Sequence, residues 1–256
     1  MRIVTLIENT SHDPSLVAEH GLSLYIETGD HKILFDAGAS GAFADNARML
    51  GVDLRAVDFA ILSHGHSDHS GGLLRFLQIN DHAPIYASRH VFGGQCNADG
   101  VYIGPDPALR GRMQLVDSLL QLAPGITLEC PEEAFGTHPL DTAGLQICKD
   151  GVLYPEDFRH EQYLKITEAG KTILFSGCSH RGILNIAQTW QPDVLIGGFH
   201  FMKRDPQSLL PDAQALLATP TCYYTGHCTG QAQYDFLQNV MSDRLHYLST
   251  GTKLAL

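Results

Sequence analysis

Three histidines and one aspartate stand within a run of six residues in this sequence, as His64, His66, Asp68 and His69. His64 and His66 are two residues apart, so at the end of an extended strand both side chains project to one side and can chelate one metal ion. Gly65 between them carries no side chain that would obstruct the ion. Asp68 and His69 follow after a turn and can reach a second ion. Imidazole and carboxylate groups suit Zn, Mn, Fe or Ni, so the run predicts two divalent metal ions, with Zn as the first choice.

Three further histidines follow apolar strands and glycines later in the chain. His180 ends the run Ser-Gly-Cys-Ser-His, His200 ends Gly-Gly-Phe-His, and His227 lies in Thr-Gly-His-Cys. Because four ligands do not complete two metal sites, we expect other strand ends to supply the rest, and we predict His180 and His227 as ligands. His200 is predicted to be catalytic as a proton donor, with a ligand or a substrate contact as alternatives. Two interpretations of Cys178 stay open: it is a thiolate ligand or a small buried core residue.

The remaining histidines lack a strand-end glycine or a histidine companion, and we predict that they lie on the surface. Two of them, His138 and His160, fall in the loop-rich middle of the chain, from which either could reach the site. The others are His12, His20, His31, His82, His90 and His246.

The elements that must position these residues alternate in a regular order. Leu22–Glu27 and Lys32–Phe35 flank a short Thr-Gly-Asp-His turn, which is typical of a hairpin, and Asp58–Leu62 is a strand that runs into the histidine cluster. The second half repeats a strand, a polar loop and a helix. The predicted helices are Gly41–Leu50, Leu73–Gln78, Arg112–Leu122, Gly182–Thr189, Ser208–Ala218 and Gln231–Val240. This order favours an α/β fold class, a four-layer αββα sandwich with helices outside packed sheets.

Composition limits the kinds of partner. The chain has 256 residues, of which 44% are hydrophobic, so it can bury a sizeable core. We interpret residues 1–256 as a single domain. A cap region around 88–125 is a further hypothesis. A formal net charge of −11 argues against a nucleic-acid partner. No stretch approaches the roughly 20 apolar residues that span a bilayer, so we expect no membrane partner. The amino terminus is interpreted as a strand rather than a signal peptide, and six scattered cysteines favour a cytoplasmic location.

Several segments together resemble one known family. The chain is similar to the metallo-β-lactamase superfamily, and within it to the 7,8-dihydropterin-6-methyl-4-(β-D-ribofuranosyl)-aminobenzene-5′-phosphate synthase-like subgroup. The segments that carry the resemblance are His64–His69, Glu19–Leu24, Leu34–Gly38, Gly177–Ile183, Gly197–His200 and Gly226–Gly230. The resemblance implies an αββα sandwich with its metal site at the strand ends. It also implies that His64 and His66 hold the first metal, whereas the second is held by Asp68, His69 and His227.

The sequence departs from the family pattern at two points. The superfamily carries a third histidine for the first metal within a Gly-His-Thr-like segment, which this chain lacks. The bridging aspartate of the family follows Ser-Gly or Thr-Gly, whereas here Cys178 follows Ser176-Gly177. We therefore expect His180 to replace one missing ligand. Asn9 matches an early Asp-Asn pair of the subgroup, and Glu8 replaces its aspartate.

The leading hypothesis is a metal-dependent hydrolase that acts on a phosphate- or ester-bearing small molecule through a metal-bound hydroxide. Asp68 would be a ligand and a proton acceptor, and His200 would protonate the leaving group. Phosphate would be held by three cationic residues, Arg181, Lys203 and Arg204. A pterin-like transferase, a di-iron redox protein and a catalytically silent binding scaffold are the alternatives. The substrate itself and the oligomeric state are not indicated.

Overall fold

The structure is a computed structural model that describes residues 1–131, 133 and 135–256. The chain divides into two compact units. Unit 1 comprises Met1–Asp117, Gly144–Gln162 and Ser249–Leu256, and unit 2 comprises Ser118–Ala143 and Tyr163–Leu248.

The secondary structure alternates short strands with short helices. The strands are β1 (Arg2–Ile7), β2 (Ser23–Thr28), β3 (His31–Phe35), β4 (Phe59–Ile61), β5 (Ile85–Ser88), β6 (Gln95–Cys96), β7 (Met113–Val116), β8 (Leu119–Ala123), β9 (Ile126–Glu129), β10 (Gln146–Lys149), β11 (Val152–Pro155), β12 (Tyr163–Glu168), β13 (Lys171–Gly177), β14 (Val194–Gly197), β15 (Cys222–Thr225), β16 (Leu245–Tyr247) and β17 (Lys253–Ala255). The helices are α1 (Ala42–Met49), α2 (Ser67–Ser70), α3 (Leu73–Ile79), α4 (Ile183–Trp190), α5 (Leu210–Leu217) and α6 (Gln231–Met241).

Unit 1 contains a seven-stranded sheet in the order β17-β1-β2-β3-β4-β5-β7. Its β2 and β3 form the antiparallel hairpin predicted from the turn at Gly29, whereas β3, β4, β5 and β7 run parallel. Phe35 at the end of β3 pairs with Ile61 at the end of β4. Because the carboxyl ends of parallel strands meet at one edge of a sheet, the residues that follow these two strands emerge side by side.

The core of unit 1 is built on the apolar face of α1. Phe43 and Ala47 are four residues apart, so they share one face of the helix, and both are buried in a cluster with Leu6 and Leu34. Complete burial of a side chain such as Phe43 contributes about 1.5–3 kcal/mol to stability. This core supports the strands whose ends carry the predicted site. A separate three-stranded sheet of β11, β10 and β6 also belongs to unit 1.

Unit 2 contains a seven-stranded sheet in the order β16-β15-β14-β13-β12-β9-β8. Strands β13, β14, β15 and β16 are parallel, so the loops after β13, β14 and β15 emerge at the same edge. These are the loops that carry His180, His200 and His227. Helices α4, α5 and α6 contribute buried apolar side chains to the core of this unit, including Ile186, Leu216 and Leu237.

The predicted helix over Arg112–Leu122 is wrong. The structure places two strands there, β7 beside β5 and β8 antiparallel to β9. A short run of leucines fits a helical and an extended pattern almost equally well, and pairing with a neighbouring strand decides between them. No helix in the part of the chain that the structure describes is long and apolar enough to cross a membrane.

Candidate metal centre

The predicted ligand run follows β4 and forms a tight loop that leads into α2. His64, His66 and His69 are buried, and the Asp68 side chain is 24% exposed. The ring centroids of His64 and His66 are 4.7 Å apart, and those of His64 and His69 are 4.1 Å apart. The loop therefore brings the three imidazoles of unit 1 together.

A buried carboxylate, Asp36, organises this loop from the end of β3. Asp36 accepts hydrogen bonds from the backbone N–H of Ser63 at 2.7 Å, from the Ser63 hydroxyl at 2.7 Å and from Nδ1 of His69 at 2.7 Å. Its backbone adopts a left-handed conformation, with φ of 59°, which is uncommon for a residue other than glycine. The sequence indicated only that Asp36 ends a strand, because its partners lie up to 33 positions further along the chain.

The hydrogen bonds to Asp36 fix which nitrogen each neutral imidazole presents. A carboxylate only accepts hydrogen bonds, so Nδ1 of His69 carries the proton and Nε2 carries the lone pair. The Ser63 hydroxyl gives its single proton to Asp36, so it accepts from Nδ1 of His64, which lies 2.8 Å away. His64 and His69 thus both present Nε2 as the nitrogen that can bind a metal.

Asp68 has an additional neighbour, His20, which the sequence placed on the surface. The His20 side chain is 60% exposed, and its Nε2 lies 3.3 Å from Oδ2 of Asp68. The amide nitrogen of Asn9 lies 3.3 Å from Nδ1 of His20 and can only donate, while Asn9 Oδ1 accepts from the backbone N–H of Gly21. Asn9 therefore orients His20 beside Asp68.

Two residues beside His66 lie outside the predicted site: the sequence analysis missed Glu156 and named His160 only as a residue that could reach the site. His160, predicted to lie on the surface, is 1% exposed, and its ring centroid is 5.1 Å from that of His66. Its Nδ1 accepts a hydrogen bond from the backbone N–H of Gly65 at 2.8 Å. Glu156 is also buried, and burial raises the pKa of its carboxyl group to about 7. His66, Glu156 and His160 each offer one ligand atom, and these atoms lie within 4.8 Å of one another.

A polar segment before β12 carries these residues to the loop. Gln162 donates from its backbone N–H to the Ser63 carbonyl at 2.8 Å and from its side chain to the Leu62 carbonyl at 2.9 Å. The signal in the sequence was the spacing of Glu156 and His160, four residues apart in a polar run before a strand. That spacing alone does not reveal burial, because exposed loops carry the same residue types.

Three of the predicted residues of unit 2, His180, His200 and Arg204, line a cavity of about 90 Å³. The rings of His180 and His200 line it with their centroids 4.2 Å apart. Ser179 and His200 both have a positive φ, 57° and 58°, a strained conformation that often marks functional positions. Phe199 and His138 also line the cavity, so it combines aromatic and imidazole surfaces.

His227 and Cys178 are both buried in unit 2. His227 follows β15 and Gly226, opens a short 3-10 turn and has a φ of 50°. Cys178 follows β13, and its carbonyl accepts from the thiol of Cys228 at 3.5 Å. Burial fits both interpretations of Cys178, and the ligand roles of His180 and His227 stay predictions.

The three cationic residues predicted to hold phosphate all bind protein groups. Arg181 is buried, donates to the carbonyls of Pro131 and Glu133, and lies over the Phe135 ring. Lys203 is exposed and donates to the Ala143 carbonyl at 3.0 Å. Arg204 forms a two-pronged ion pair with Asp212, at 3.1 and 2.9 Å. Their predicted substrate role is untested, and a phosphate would have to compete with these contacts.

A family model for the metallo-beta-lactamase superfamily matches residues 17–152, which is more than half of the chain. The chain belongs to the metallo-beta-lactamase superfamily. This match covers the whole ligand loop, and it confirms the family resemblance stated from the sequence.

Individual relatives agree with this family. The chain is 29% identical over 280 aligned residues to the 7,8-dihydropterin-6-methyl-4-(beta-D-ribofuranosyl)-aminobenzene-5′-phosphate synthase of Methanocaldococcus jannaschii, with 96% of this chain and 94% of the relative covered. It is 26% identical to the solved structure of Tm1679, a metal-dependent hydrolase of the beta-lactamase superfamily, with a TM-score of 0.85 over 100% of this chain and 99% of the other. Zn(2+)-bound PqqB from Methylobacterium extorquens shares the fold at 12% identity, with a TM-score of 0.66 and all of both chains covered. The predicted α/β fold class of this superfamily is confirmed.

The donor set of unit 1 fits a metal ion of the kind this superfamily uses. Its groups are imidazole nitrogens and carboxylate oxygens, the ligands that Zn and other first-row ions prefer. Asp36 already holds His64 and His69 in the ligating tautomer, which is how metal proteins usually orient a histidine. The number and the identity of the ions remain predictions.

Proposed function

We propose that this protein is a metal-dependent hydrolase that acts on a phosphate- or ester-bearing small molecule. The first-choice cofactor is a pair of divalent ions, Zn before Mn, Fe or Ni, with a protein ligand set that comprises His64, His66, Asp68, His69, His180 and His227. We propose the cytoplasm as its location, because the six cysteines are scattered along the sequence and are not dense for its length.

The observation that carries the proposal is the buried hydrogen-bond system of Asp36. Placing a carboxylate, a serine and three imidazoles in a protein interior costs free energy unless they are satisfied. Asp36 accepts hydrogen bonds from Ser63 and from Nδ1 of His69. Nε2 of His64 and Nε2 of His69 are therefore unprotonated, which is the form that binds a cation.

The bound ions, Asp68 and His200 would each have a different role in hydrolysis. Bound divalent ions would supply an acidified water and would polarise the substrate oxygen. Asp68 is 24% exposed, in contrast to the buried histidines, so it can both ligate and accept a proton from solvent. His200 would protonate the leaving group from the cavity that it shares with His180.

Substitution of His200 tests its role separately from metal binding. We expect His200→Ala to retain its metal but to lower kcat by about 10²- to 10⁴-fold, because a positioned proton donor contributes rate enhancement of that order. Metal content and kcat are measured on the same preparation. Loss of metal in proportion to loss of rate would make His200 a ligand instead.

The reaction class is tested with isotopically labelled water. Metal-loaded protein is incubated with phosphate monoesters, phosphodiesters and carboxylic esters in H₂¹⁸O, with His66→Ala as the inactive control. Hydrolysis places one ¹⁸O atom in the product of each turnover, which mass spectrometry detects. Turnover without uptake of the label would contradict the hydrolase proposal.

A transferase is the second candidate, and the similarity to the 7,8-dihydropterin-6-methyl-4-(beta-D-ribofuranosyl)-aminobenzene-5′-phosphate synthase of M. jannaschii favours it. That relative matches nearly the full length of this chain. A transfer enzyme would join an activated pterin-like donor to an aromatic acceptor, so solvent oxygen would not enter the joined product. The same labelled-water experiment, supplied with both donor and acceptor, separates the two reactions.

A further inference from the structure

Strand β11 forms one edge of the three-stranded sheet of unit 1 and is exposed along its whole length. Its sequence is Val-Leu-Tyr-Pro, and the exposed fractions of Val152, Leu153 and Tyr154 are 51%, 43% and 49%. Among the residues that the structure describes, no strand pairs with the outer edge of β11. Single exposed apolar residues are ordinary, but three consecutive ones on an open edge strand form a surface that pairs readily with another strand.

The hydrogen bonds between β10 and β11 show which backbone groups face the open edge. The backbone N–H of Glu156 donates to the Leu145 carbonyl at 3.1 Å, so Glu156 faces β10. Backbone groups alternate in direction along an antiparallel strand, so Leu153 and Pro155 face away from β10. The N–H and C=O of Leu153 therefore point to the open edge, where Pro155 contributes only a carbonyl.

The proline limits the register in which a second β11 strand can pair with the first. When Leu153 lies opposite Leu153 of a second copy, each donates its N–H to the other, and Val152 lies opposite Tyr154. When Leu153 instead lies opposite Pro155, each such pair forms one hydrogen bond in place of two, because proline has no N–H. The first register also sets a β-branched residue against an aromatic one, which is a favourable cross-strand pair.

The charges around β11 permit self-association although the chain carries a formal net charge of −11. The strand itself contains no charged residue. The turn before it carries Lys149 and Asp150, which are exposed, and the segment after it carries Asp157 and Arg159, which are partly exposed. Antiparallel pairing brings the turn of one copy toward the later segment of the other. Each of these flanks presents one cation and one anion, so they meet without an excess of like charge.

The area of this surface sets the strength of the contact. Burial of three half-exposed side chains removes on the order of a few hundred Å² per copy, below the roughly 800 Å² per partner of stable complexes. The surface extends beyond the strand at Gly100, where a Cβ atom would lie 3.1 Å from Cδ1 of Leu153, and the next residue, Val101, is 58% exposed. The contact therefore favours a dimer that dissociates on dilution.

We propose that β11 is a self-association surface through which two copies of this chain pair antiparallel, with Leu153 opposite Leu153, to form a weak dimer. The two three-stranded sheets then join into one sheet of six strands. The dimer is two-fold symmetric, because the same surface serves both copies. Pairing covers Leu153 on one face of the joined sheet and Val152 and Tyr154 on the other, since side chains alternate along a strand.

Sedimentation velocity of the full chain tests the surface from about 5 to about 500 µM, a range that covers weak complexes. The wild-type protein is expected to shift from monomer to dimer mass as its concentration rises. Leu153→Lys sets like charges opposite one another and should raise the dimer dissociation constant by about 10-fold or more. Leu119→Lys is the matched control and should associate as the wild type does, because Leu119 is a 62% exposed leucine on β8, an edge strand of another sheet.

Cysteine cross-linking tests the register. Leu153→Cys is made in a Cys148→Ser background, because Cys148 lies opposite Leu153 within the sheet and would otherwise form the disulfide. The Cα atoms of a hydrogen-bonded antiparallel pair are about 5.5 Å apart, which suits a disulfide, so oxidation of Leu153→Cys should give a covalent dimer. Val152→Cys in the same background is the control, because Val152 does not lie opposite itself in this register.

Three outcomes overturn the inference. The first is a wild-type protein that stays monomeric up to the highest concentration. The second is a dimer that Leu153→Lys leaves intact or that Leu119→Lys dissociates. The third is cross-linking through Val152→Cys that is as fast as through Leu153→Cys. Circular dichroism checks the fold of each variant, and folding is expected because the substituted leucines are exposed.

Discussion

At the residue scale, the chemistry of the site depends on side chains that do not touch a substrate. Asp36 selects the tautomers of His64 and His69, and Asn9 orients His20 beside Asp68. Such partners are expected to matter nearly as much as the ligands, because an imidazole in the wrong tautomer presents a proton to the ion instead of a lone pair.

Replacement of Asp36 by asparagine tests this dependence. The amide of Asp36→Asn has one acceptor oxygen in place of two, so its NH2 group faces either the Ser63 backbone N–H or the Ser63 hydroxyl and His69 Nδ1, where Asp36 accepts hydrogen bonds. We expect metal affinity to fall by about 10- to 100-fold, measured by titration of the stripped protein. Asp58→Asn serves as the control, because Asp58 is exposed and accepts from the backbone of Lys32. Equal affinity in wild type and Asp36→Asn would refute the role given to this carboxylate.

At the element scale, the same arrangement recurs in both units, where polar loops follow the carboxyl ends of parallel strands. In unit 2, the segment that contains Pro131 and His138 is held by α4 and the loop before it. Asn185 on α4 exchanges two hydrogen bonds with the backbone of His138, at 2.9 Å each, and Arg181 donates to the carbonyls further upstream. These contacts give Arg181 a structural role in holding the backbone near His138, which itself lines the cavity beside His200.

Removal of the Asn185 side chain should release this segment. Asn185 is fully buried, and Asn185→Ala leaves the His138 backbone without its partners, at a cost of about 1–3 kcal/mol for each buried group that stays unsatisfied. We expect a lower Tm and faster proteolysis between residues 135 and 143. Asn239→Ala is the control, because Asn239 is exposed and donates to the Asp235 carbonyl within α6. Unchanged proteolysis in that segment would contradict the role given to Asn185.

Much of this element structure could be predicted from the sequence, because it depends on local patterns. The turn at Gly29 and the helix with Phe43 and Ala47 on one face are local signals, and both are confirmed. The helix predicted over Arg112–Leu122 was wrong, because pairing with β5 and β9 is not encoded in the run itself.

The site was predictable to the extent that its ligands are adjacent in sequence. His64, His66 and His69 stand in one loop, and the structure brings their rings together. His160 could not be placed in the same way, since its hydrogen bond to Gly65 spans 95 residues. A contact between residues so far apart in the chain depends on the whole fold of unit 1, so no local sequence pattern predicts it.

At the scale of the whole molecule, metal binding should increase the stability of the folded chain. An ion that binds only the folded chain stabilises it by about 2.7 kcal/mol when free metal is 100 times its Kd. We expect chelation to lower the Tm by several degrees and added Zn²⁺ or Mn²⁺ to restore it. His66→Ala should respond much less to either treatment. Equal Tm values with and without chelator in the wild-type protein would contradict this expectation.

The most direct test of the central claim is a crystal structure of metal-loaded protein with anomalous diffraction recorded at the metal absorption edges. The account predicts anomalous density beside Nε2 of His64 and Nε2 of His69, with Nδ1 of His69 still bonded to Asp36. The absence of an anomalous peak near these nitrogens, in crystals soaked in saturating Zn²⁺ or Mn²⁺, would contradict it.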